Sequence, residues 1–380
     1  MYTLFITRGY PTEKYKTNGI FEYDQAKALV KQGCKVVYAA IDVRSIRRWR
    51  KWGIQREYKD GVHIYAINIP LGRVPKKILR TFSFLGLKLL YKKIVKEKGV
   101  PDILHAHFTG PAFSASKLKE ITDIPLVITE HFSQINREEI SEDLFKIAKM
   151  AYNKADALIA VSPALAKKIH INFGINPIYI PNIVDLDVFK YEDKEESEYF
   201  NFVSTGNLIE TKRMDLTIEA FYRAFGNNPK VTLTIFGQGP ERKKLEDLIS
   251  KYNLNSQVKL MGLCSREEIA KQLKQCDCFV LASQSETFGV AYIEALAMGV
   301  PVIATKCGGP EAFVNEKNGL MVNVNDVEEL TEALIYMYNN INMYDRKSIS
   351  IEIQNKFSSE VVANKIINIY KEYLKKSSFR

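Results

Sequence analysis

The stretch from Ser283 to Gly309, SQSETFGVAYIEALAMGVPVIATKCGG, constrains the fold more than any other part of the chain. An apolar run from Ala291 to Met298 is ended by Gly299, and a β-branched run from Val300 to Thr305 is bounded by Gly308 and Gly309. That pattern predicts a loop, a helix and a buried strand in succession. Two carboxylates, Glu286 and Glu294, stand eight positions apart, the first before the helix and the second inside it. A helix N-terminus near Gly289 offers unpaired amides and a partial positive charge, which suit a phosphate. Glu294 lies between Tyr292, Ile293, Ala295 and Leu296. An ionised carboxylate there requires hydrogen-bond donors, which sugar or ribose hydroxyls would supply. An ordinary amphipathic helix with its one charge turned to water fits the same spacing.

The rest of the chain supplies room for such a site. A length of 380 residues suits two domains. Five cysteines, an odd number, argue against a disulfide framework and for a reducing compartment. Cys276 and Cys278 form a C-x-C with no second pair, as core positions at a strand start would. The N-terminus lacks the features of a signal peptide, and no window approaches 18 uninterrupted apolar residues, so a cytoplasmic protein is expected. The net charge of +10 is unevenly placed. Between Arg44 and Lys98 sixteen Lys or Arg face three acidic residues, so the remainder is slightly acidic and an anionic partner is indicated for this region.

In chain order, YTLFIT reads as a strand, followed by a loop with Thr17, Asn18 and Gly19, a helix from Phe21 to Gln32 and the strand CKVVYAA. Strand–glycine–helix turns are where α/β folds hold phosphates, although a simple tight turn at Gly19 fits equally. Asp42 to Asp60 is a basic loop holding both tryptophans, and HIYAINIP is the next strand. Lys76 to Lys98 reads as a helix with Ile78, Phe82, Leu85 and Leu89 on one face and Arg80, Lys88, Lys92 and Lys96 in another row. A sheet-packing helix with a solvated outer face accounts for that apolar stripe. PDILHAHFTG is a strand ending in His105 and His107. H-x-H binds zinc only with further ligands, and the other histidines are His63, His131 and His170. LVITEHFS is a strand that ends at His131. Asp185 and Asp187 form a D-x-D, followed by a charged, linker-like run. Strand, glycine turn and helix then recur at FNFVSTGNLIETKRMDLTIEAF and VTLTIFGQGPERKKLEDLI, and two helical stretches end the chain.

Glu286 to Glu294, with Thr287-Phe288-Gly289 after the first Glu and EALAMGVPVIAT from the second, resembles the E-x7-E signature of retaining glycosyltransferases of family 4. The similarity covers essentially the whole chain and is strongest from Phe202 to Val322. It implies an α/β GT-B fold, two Rossmann-like domains facing each other across a cleft. The domains implied are residues 1–184 for the acceptor and 200–357 for the nucleotide sugar. Residues 185–199 link them, and a last helix, 358–380, crosses back to the first domain. The resemblance implies sugar transfer with retention from a nucleotide-diphosphate sugar, UDP by family frequency, to an acceptor hydroxyl. No metal is expected, because Asp185 and Asp187 match an interdomain segment.

The residue roles follow the same resemblance. Catalytic positions are His107 at the floor near the transferred sugar, Lys212 on the diphosphate, and Glu286 on donor-sugar hydroxyls. Glu294 takes the ribose, the amides of Phe288, Gly289 and Val290 take the diphosphate, and Gly262-Leu263 the nucleobase. Gly206, Gly237, Gly308 and Gly309 are turn glycines of the donor side, and Gly19 is its counterpart in the first domain. Three positions depart from the family pattern: Asn18 replaces one of a glycine pair, and on the donor-binding side Asn207 replaces an Arg and Arg213 stands where Gly is frequent, so that either Arg213 makes up the lost charge or the site manages with one cation. The acceptor or membrane side is expected at Arg47, Arg48, Trp49, Trp52 and His131, with a structural role for His131 also open.

A lipid-linked saccharide of surface-polysaccharide or glycoconjugate synthesis is the expected acceptor, with the enzyme peripheral on the inner face of the cell membrane. Aromatic rings among cations suit an anionic headgroup boundary. No nucleic-acid motif accompanies the charge. A GT-B sugar-nucleotide epimerase, an enzyme with a soluble acceptor, and a non-catalytic basic protein with a solvated face are the alternatives. The epimerase would lack the Glu286/Glu294 pair with Lys212.

Overall fold

The computed structural model describes residues 1–16, 18–44, 50–137 and 139–377. The first compact unit is Met1–Ile183 together with the last helix, and the second is Val184–Ser358. The segment read as a linker thus belongs to the second unit.

The first unit contains β1 (Tyr2–Thr7), α1 (Ile20–Lys31), β2 (Lys35–Asp42), β3 (Gly53–Lys59), β4 (Val62–Asn68) and α2 (Lys76–Lys98). It continues with β5 (Ile103–His107), α3 (Thr109–Thr122), β6 (Leu126–Glu130), α4 (Glu142–Tyr152), β7 (Ala157–Ala160), α5 (Pro163–Phe173) and β8 (Ile178–Tyr179). The sheet order is β3-β4-β2-β1-β5-β6-β7-β8, with every pair parallel except β3–β4. All six residues of β1 are buried, as a central parallel strand covered on both faces requires. The chain winds outward from β1 in both directions, so the strand order reverses between β1 and β5. In open α/β sheets the carboxyl ends at such a switch point are where ligands bind.

The second unit contains β9 (Phe200–Thr205), α6 (Met214–Phe225), β10 (Val231–Phe236), α7 (Arg242–Lys251), β11 (Val258–Gly262) and α8 (Arg266–Lys274). Then come β12 (Cys278–Leu281), α9 (Val290–Ala297), β13 (Val302–Thr305), β14 (Gly319–Val322), α10 (Val327–Asn340) and α11 (Arg346–Phe357). Its sheet is wholly parallel in the order β11-β10-β9-β12-β13-β14, with the reversal between β9 and β12. Local signals start several helices. Ser162 accepts from Leu165 N ahead of Pro163 at the start of α5, and Ser265 and Glu268 close a capping box on α8. The last helix, α12 (Ser359–Ser377), packs Val362, Ile366 and Tyr370 into the core of the first unit beside Phe5 and Tyr38.

Two readings need correction. Asp42 to Asp60 is not a loop throughout: Gly53–Lys59 is β3, the antiparallel edge strand of the first sheet. Asp60 (φ 52°) and Gly61 (φ 78°) form its left-handed turn into β4. The α2 stripe is the second. Ile78, Phe82, Leu85 and Leu89 are exposed, and the helix packs instead through Leu79, Gly86, Leu87, Leu90 and Ile94. Gly86 lets α2 approach Ile41, Ile67 and Ile69, whose side chains would meet an added Cβ at 3.2–3.4 Å.

Candidate functional site

In the second unit the turns after β9 and β12 bring the predicted donor residues together. Lys212 follows the glycine turn of β9 and donates to Glu286 Oε1, which also accepts from Ser283 Oγ at 2.8 Å. Gln284 N donates to Thr211 O at 2.8 Å, tying the two turns by backbone as well. The lysine and glutamate side chains are 21% and 11% exposed, so the pair is partly withdrawn from water yet reachable by a ligand. Ser283 is in turn fixed by Thr305, whose Oγ1 donates to its carbonyl at 2.5 Å.

Arg213 beside Lys212 adopts the left-handed region (φ 47°, ψ 43°), which costs a residue with a Cβ and gives the physical reason a glycine suits the position. Its guanidinium reaches Asp215 Oδ1 at 3.1 Å and Asn325 Oδ1. Asn207 is exposed on the β9 turn.

Glycines shape the floor of this edge. A Cβ on Gly237 would stand 1.8 Å from Gly206 O, and one on Gly239 would stand 2.1 Å from Leu208 O. Gly237 N donates to Gly262 O at 2.8 Å, so the turns after β9, β10 and β11 lie in one row, with Leu263 exposed at its end. Gly289 caps α9 at φ 95°, and no side chain caps that helix. Phe288 is buried against Phe313 and Phe357, and a Cβ on Gly309 would stand 2.5 Å from Phe288 O. Gly308 N donates to both oxygens of Glu311 at 2.8 and 2.9 Å. On α9, Tyr292, Ile293, Ala295 and Leu296 are all buried around Glu294, which faces Arg266 at 3.5 Å. Arg266 went unread in the sequence, although its place two residues after Cys264, at the start of a helix, could have suggested it.

In the first unit the carboxyl ends of β1, β5 and β6 carry the remaining candidates. Gly19 (φ 71°) backs onto Gly9, whose carbonyl oxygen would stand 2.3 Å from an added Cβ, so the tight turn alone requires glycine there. His107 Nδ1 lies 3.2 Å from His131 Nε2, and His105 is held by Tyr370 OH at 2.5 Å and Thr129 Oγ1 at 2.7 Å. Burial, and then the neighbouring imidazole, pushes His105 down to about 3. Burial, followed by the Arg8 cation, puts His131 at about 3, and His107 is lowered in the same way by burial and both neighbours. The three rings are therefore neutral, and among the described residues His107 Nε2 has no hydrogen-bond partner.

Phe108, next to His107, has φ 66°, a strained value for a residue with a Cβ. Arg8 lies 4.1 Å over its ring. Burial raises the Glu22 carboxyl of α1 to about 7. Sequence reasoning singled out neither Arg8 nor Glu22. The signals were a cation at the end of a central strand and an acid in the first turn after Gly19. Glu130 is saturated, its oxygens accepting from Thr109, Tyr152 and the amides of His131 and Phe132 at 2.6–3.0 Å.

Trp52 is exposed, whereas Arg47, Arg48 and Trp49 lie outside the described residues. Among the described residues no group of three or more His, Cys, Asp or Glu could hold a metal ion. Asp185 instead turns the chain, accepting from the amides of Asp187, Val188 and Phe189.

The chain thus holds two open α/β sheets, the second wholly parallel, with a Lys–Glu pair and a glycine-led helix at its switch point. The model of the glycosyl transferases group 1 family matches residues 187–350, and that of glycosyltransferase family 4 matches residues 21–188. Together the two matches run from residue 21 to residue 350 and support a GT-B glycosyltransferase of the family 4 type. It is 29% identical to an uncharacterized glycosyltransferase of Methanocaldococcus jannaschii over 80% of this chain and 85% of that one. It is 28% identical to the alpha-monoglucosyldiacylglycerol synthase of Acholeplasma laidlawii over 82% and 85%. The fold matches sucrose-phosphate synthase of Thermosynechococcus elongatus with a TM-score of 0.80 at 20% identity, covering 99% of each chain. It matches Anabaena HepE, solved with UDP-glucose, with a TM-score of 0.74 at 18% identity, covering 98% and 99%.

Proposed function

We propose that the chain transfers a sugar, with retention, from a UDP-sugar to a hydroxyl of a lipid-linked acceptor. The observation that carries the donor half is the joining of Lys212, Glu286 and Ser283 beside the uncapped start of α9. A cation and a row of oriented amides offset charge as it builds on a leaving diphosphate. Glu286, already a hydrogen-bond acceptor, would exchange part of its bonding for sugar hydroxyls. Glu294, beside Arg266, would take the ribose, and the Gly262-Leu263 turn the base. In the first unit His107 is buried and neutral, and its catalytic role is proposed from the family resemblance alone. A lipid acceptor is supported by the similarity to the Acholeplasma alpha-monoglucosyldiacylglycerol synthase and by the basic region between Arg44 and Lys98. Synthesis of a surface polysaccharide or glycoconjugate would use such a product.

The test is a panel of nucleotide sugars screened for protection against thermal unfolding, where a ligand at 100 times its Kd adds about 2.7 kcal/mol. UDP-sugars should protect and GDP-sugars should not. The anomeric configuration of the transferred sugar, read by NMR, should match the donor's. Inversion, or equal neglect of all nucleotide sugars, would overturn the reading.

A further inference from the structure

The outward face of α2 is both apolar and cationic. Ile78, Phe82, Leu85 and Leu89, exposed by 41, 39, 45 and 57%, follow one another at steps of four, three and four. Residues so spaced share one side of a helix, and at 1.5 Å per residue they form a ridge about 16 Å long. Lys92 and Lys96 continue the same line by steps of three and four, and Lys88 flanks it. Arg80 is committed to Asp143 in a two-pronged pair at 2.7 and 2.9 Å, with Lys76 beside it, and Lys93 faces Glu97. Lys77, Lys88, Lys92 and Lys96 are exposed, and none has an ion-pair partner among the described residues.

Glu97, the one acid of the helix, is spent on Arg56 of β3 and Tyr65. That contact sets β3 beside α2. By strand alternation the exposed Ile54 and Tyr58 share the side of Arg56.

We propose that this face seats on an anionic lipid leaflet, with Phe82, Leu85 and Leu89 at the headgroup–acyl boundary and the lysines at phosphate level. An in-plane amphipathic helix with cations around its apolar side has this form. In its purpose, though not in its geometry, the surface rests on the lipid-linked acceptor proposed above. A second copy of the chain is the poorer occupant. A two-fold contact would set the same face against itself and bring the unpaired lysines together. A protein partner is poorer too, since interface cores are depleted in Lys.

The full chain is sedimented with vesicles of phosphatidylcholine alone and of phosphatidylcholine mixed with phosphatidylglycerol. Binding should require the anionic lipid and weaken with salt. Each lysine near the surface multiplies partitioning by about five, so Lys88→Gln/Lys92→Gln/Lys96→Gln should lower it roughly 100-fold. Leu85→Ser/Leu89→Ser should lower it at least ~10-fold. Both variants should keep the thermal protection given by UDP, whose candidate site lies in the other unit. The proposal is overturned by equal or absent binding to both vesicles, by variants that bind as the wild type does, or by Leu85→Ser/Leu89→Ser abolishing a dimer in sedimentation velocity. Vesicle binding without nucleotide protection would instead refute the sugar-transfer reading and leave the surface standing.

Discussion

Replacing Lys212 with Met tests the donor site most directly, because it removes one charge and keeps most of the side-chain volume. In the wild type Glu286 Oε1 accepts from both Lys212 and Ser283. After the change Ser283 remains, and the 11% exposure of the glutamate allows some hydration. A charge-assisted hydrogen bond lost under those conditions costs about 1.5–3 kcal/mol, and partial hydration places the loss toward the lower end. For a unit of this size that corresponds to a fall in Tm of roughly 3–8 °C. Loss of a cation aimed at the leaving diphosphate weighs more on the reaction, about 2.7–4 kcal/mol or 100–1,000-fold in turnover. The assay measures transfer with the donor that gives the largest thermal protection, alongside UDP affinity by calorimetry. Turnover should fall at least ~100-fold, with UDP affinity lowered and its salt dependence reduced. If the folded variant turns over within about five-fold of the wild type, Lys212 does not neutralise the diphosphate and the reasoning fails.

Glu294→Ala should lower turnover ~100-fold while the fold survives, and near-normal turnover in the folded variant would remove its ribose role. Activity should persist after exhaustive treatment with EDTA; loss reversed by Mg²⁺ or Mn²⁺ would reopen Asp185 and Asp187 as ligands. Glu130→Gln should cost about 1–3 kcal/mol, because the amides keep an oxygen while the Thr109 and Tyr152 hydroxyls must turn to accept; Glu130→Leu strands all four donors and should cost more in the same denaturant titration. Stability should also depend on pH in two opposing ways. The lowered histidines contribute stability that is present above about 6.5 and lost as pH falls toward 3, whereas raised Glu22 contributes stability lost as pH rises from 4.5 through about 7. Three imidazoles outweigh the two raised carboxyls, Glu22 and Glu130, so unfolding free energy should rise by roughly 1–3 kcal/mol per pH unit between 4.5 and 6.5; a flat or falling profile in urea titrations would refute the buried neutral assignment.

Much of the second unit was legible because its signals are local. The run from Ala291 to Met298 between two glycines read as a helix and Val300 to Thr305 as a buried strand, and the structure has the helix at Val290–Ala297 and the strand at Val302–Thr305. The pairing of Lys212 with Glu286 was not legible from spacing, since 74 residues separate them. It depends on β9 and β12 lying side by side, a property of sheet order. Arg266 beside Glu294 depends on the same order. In the first unit, His105 and His107 could be placed on one side of a strand by alternation. Their neutrality could not, because it arises from burial by elements as distant as α12, whose Tyr370 reaches His105.

The misreading of α2 has a more general cause. The helix carries two apolar stripes, one through Leu79, Leu87, Leu90 and Ile94 and one through Ile78, Phe82, Leu85 and Leu89. Periodicity reports that apolar residues recur at helical spacing, but it does not say which stripe meets the sheet. The stripe without glycine is the bulkier of the two. Yet close packing on Ile41, Ile67 and Ile69 selects the side that carries Gly86, because only there can the helix come near enough to bury its neighbours. The bulkier stripe is then left in water next to lysines, at a cost that folding alone gives no reason to bear. Leu89 exposed beside Lys88 and Lys92 makes physical sense once both kinds of side chain meet one partner, and an anionic lipid surface offers apolar depth and negative charge a few ångströms apart.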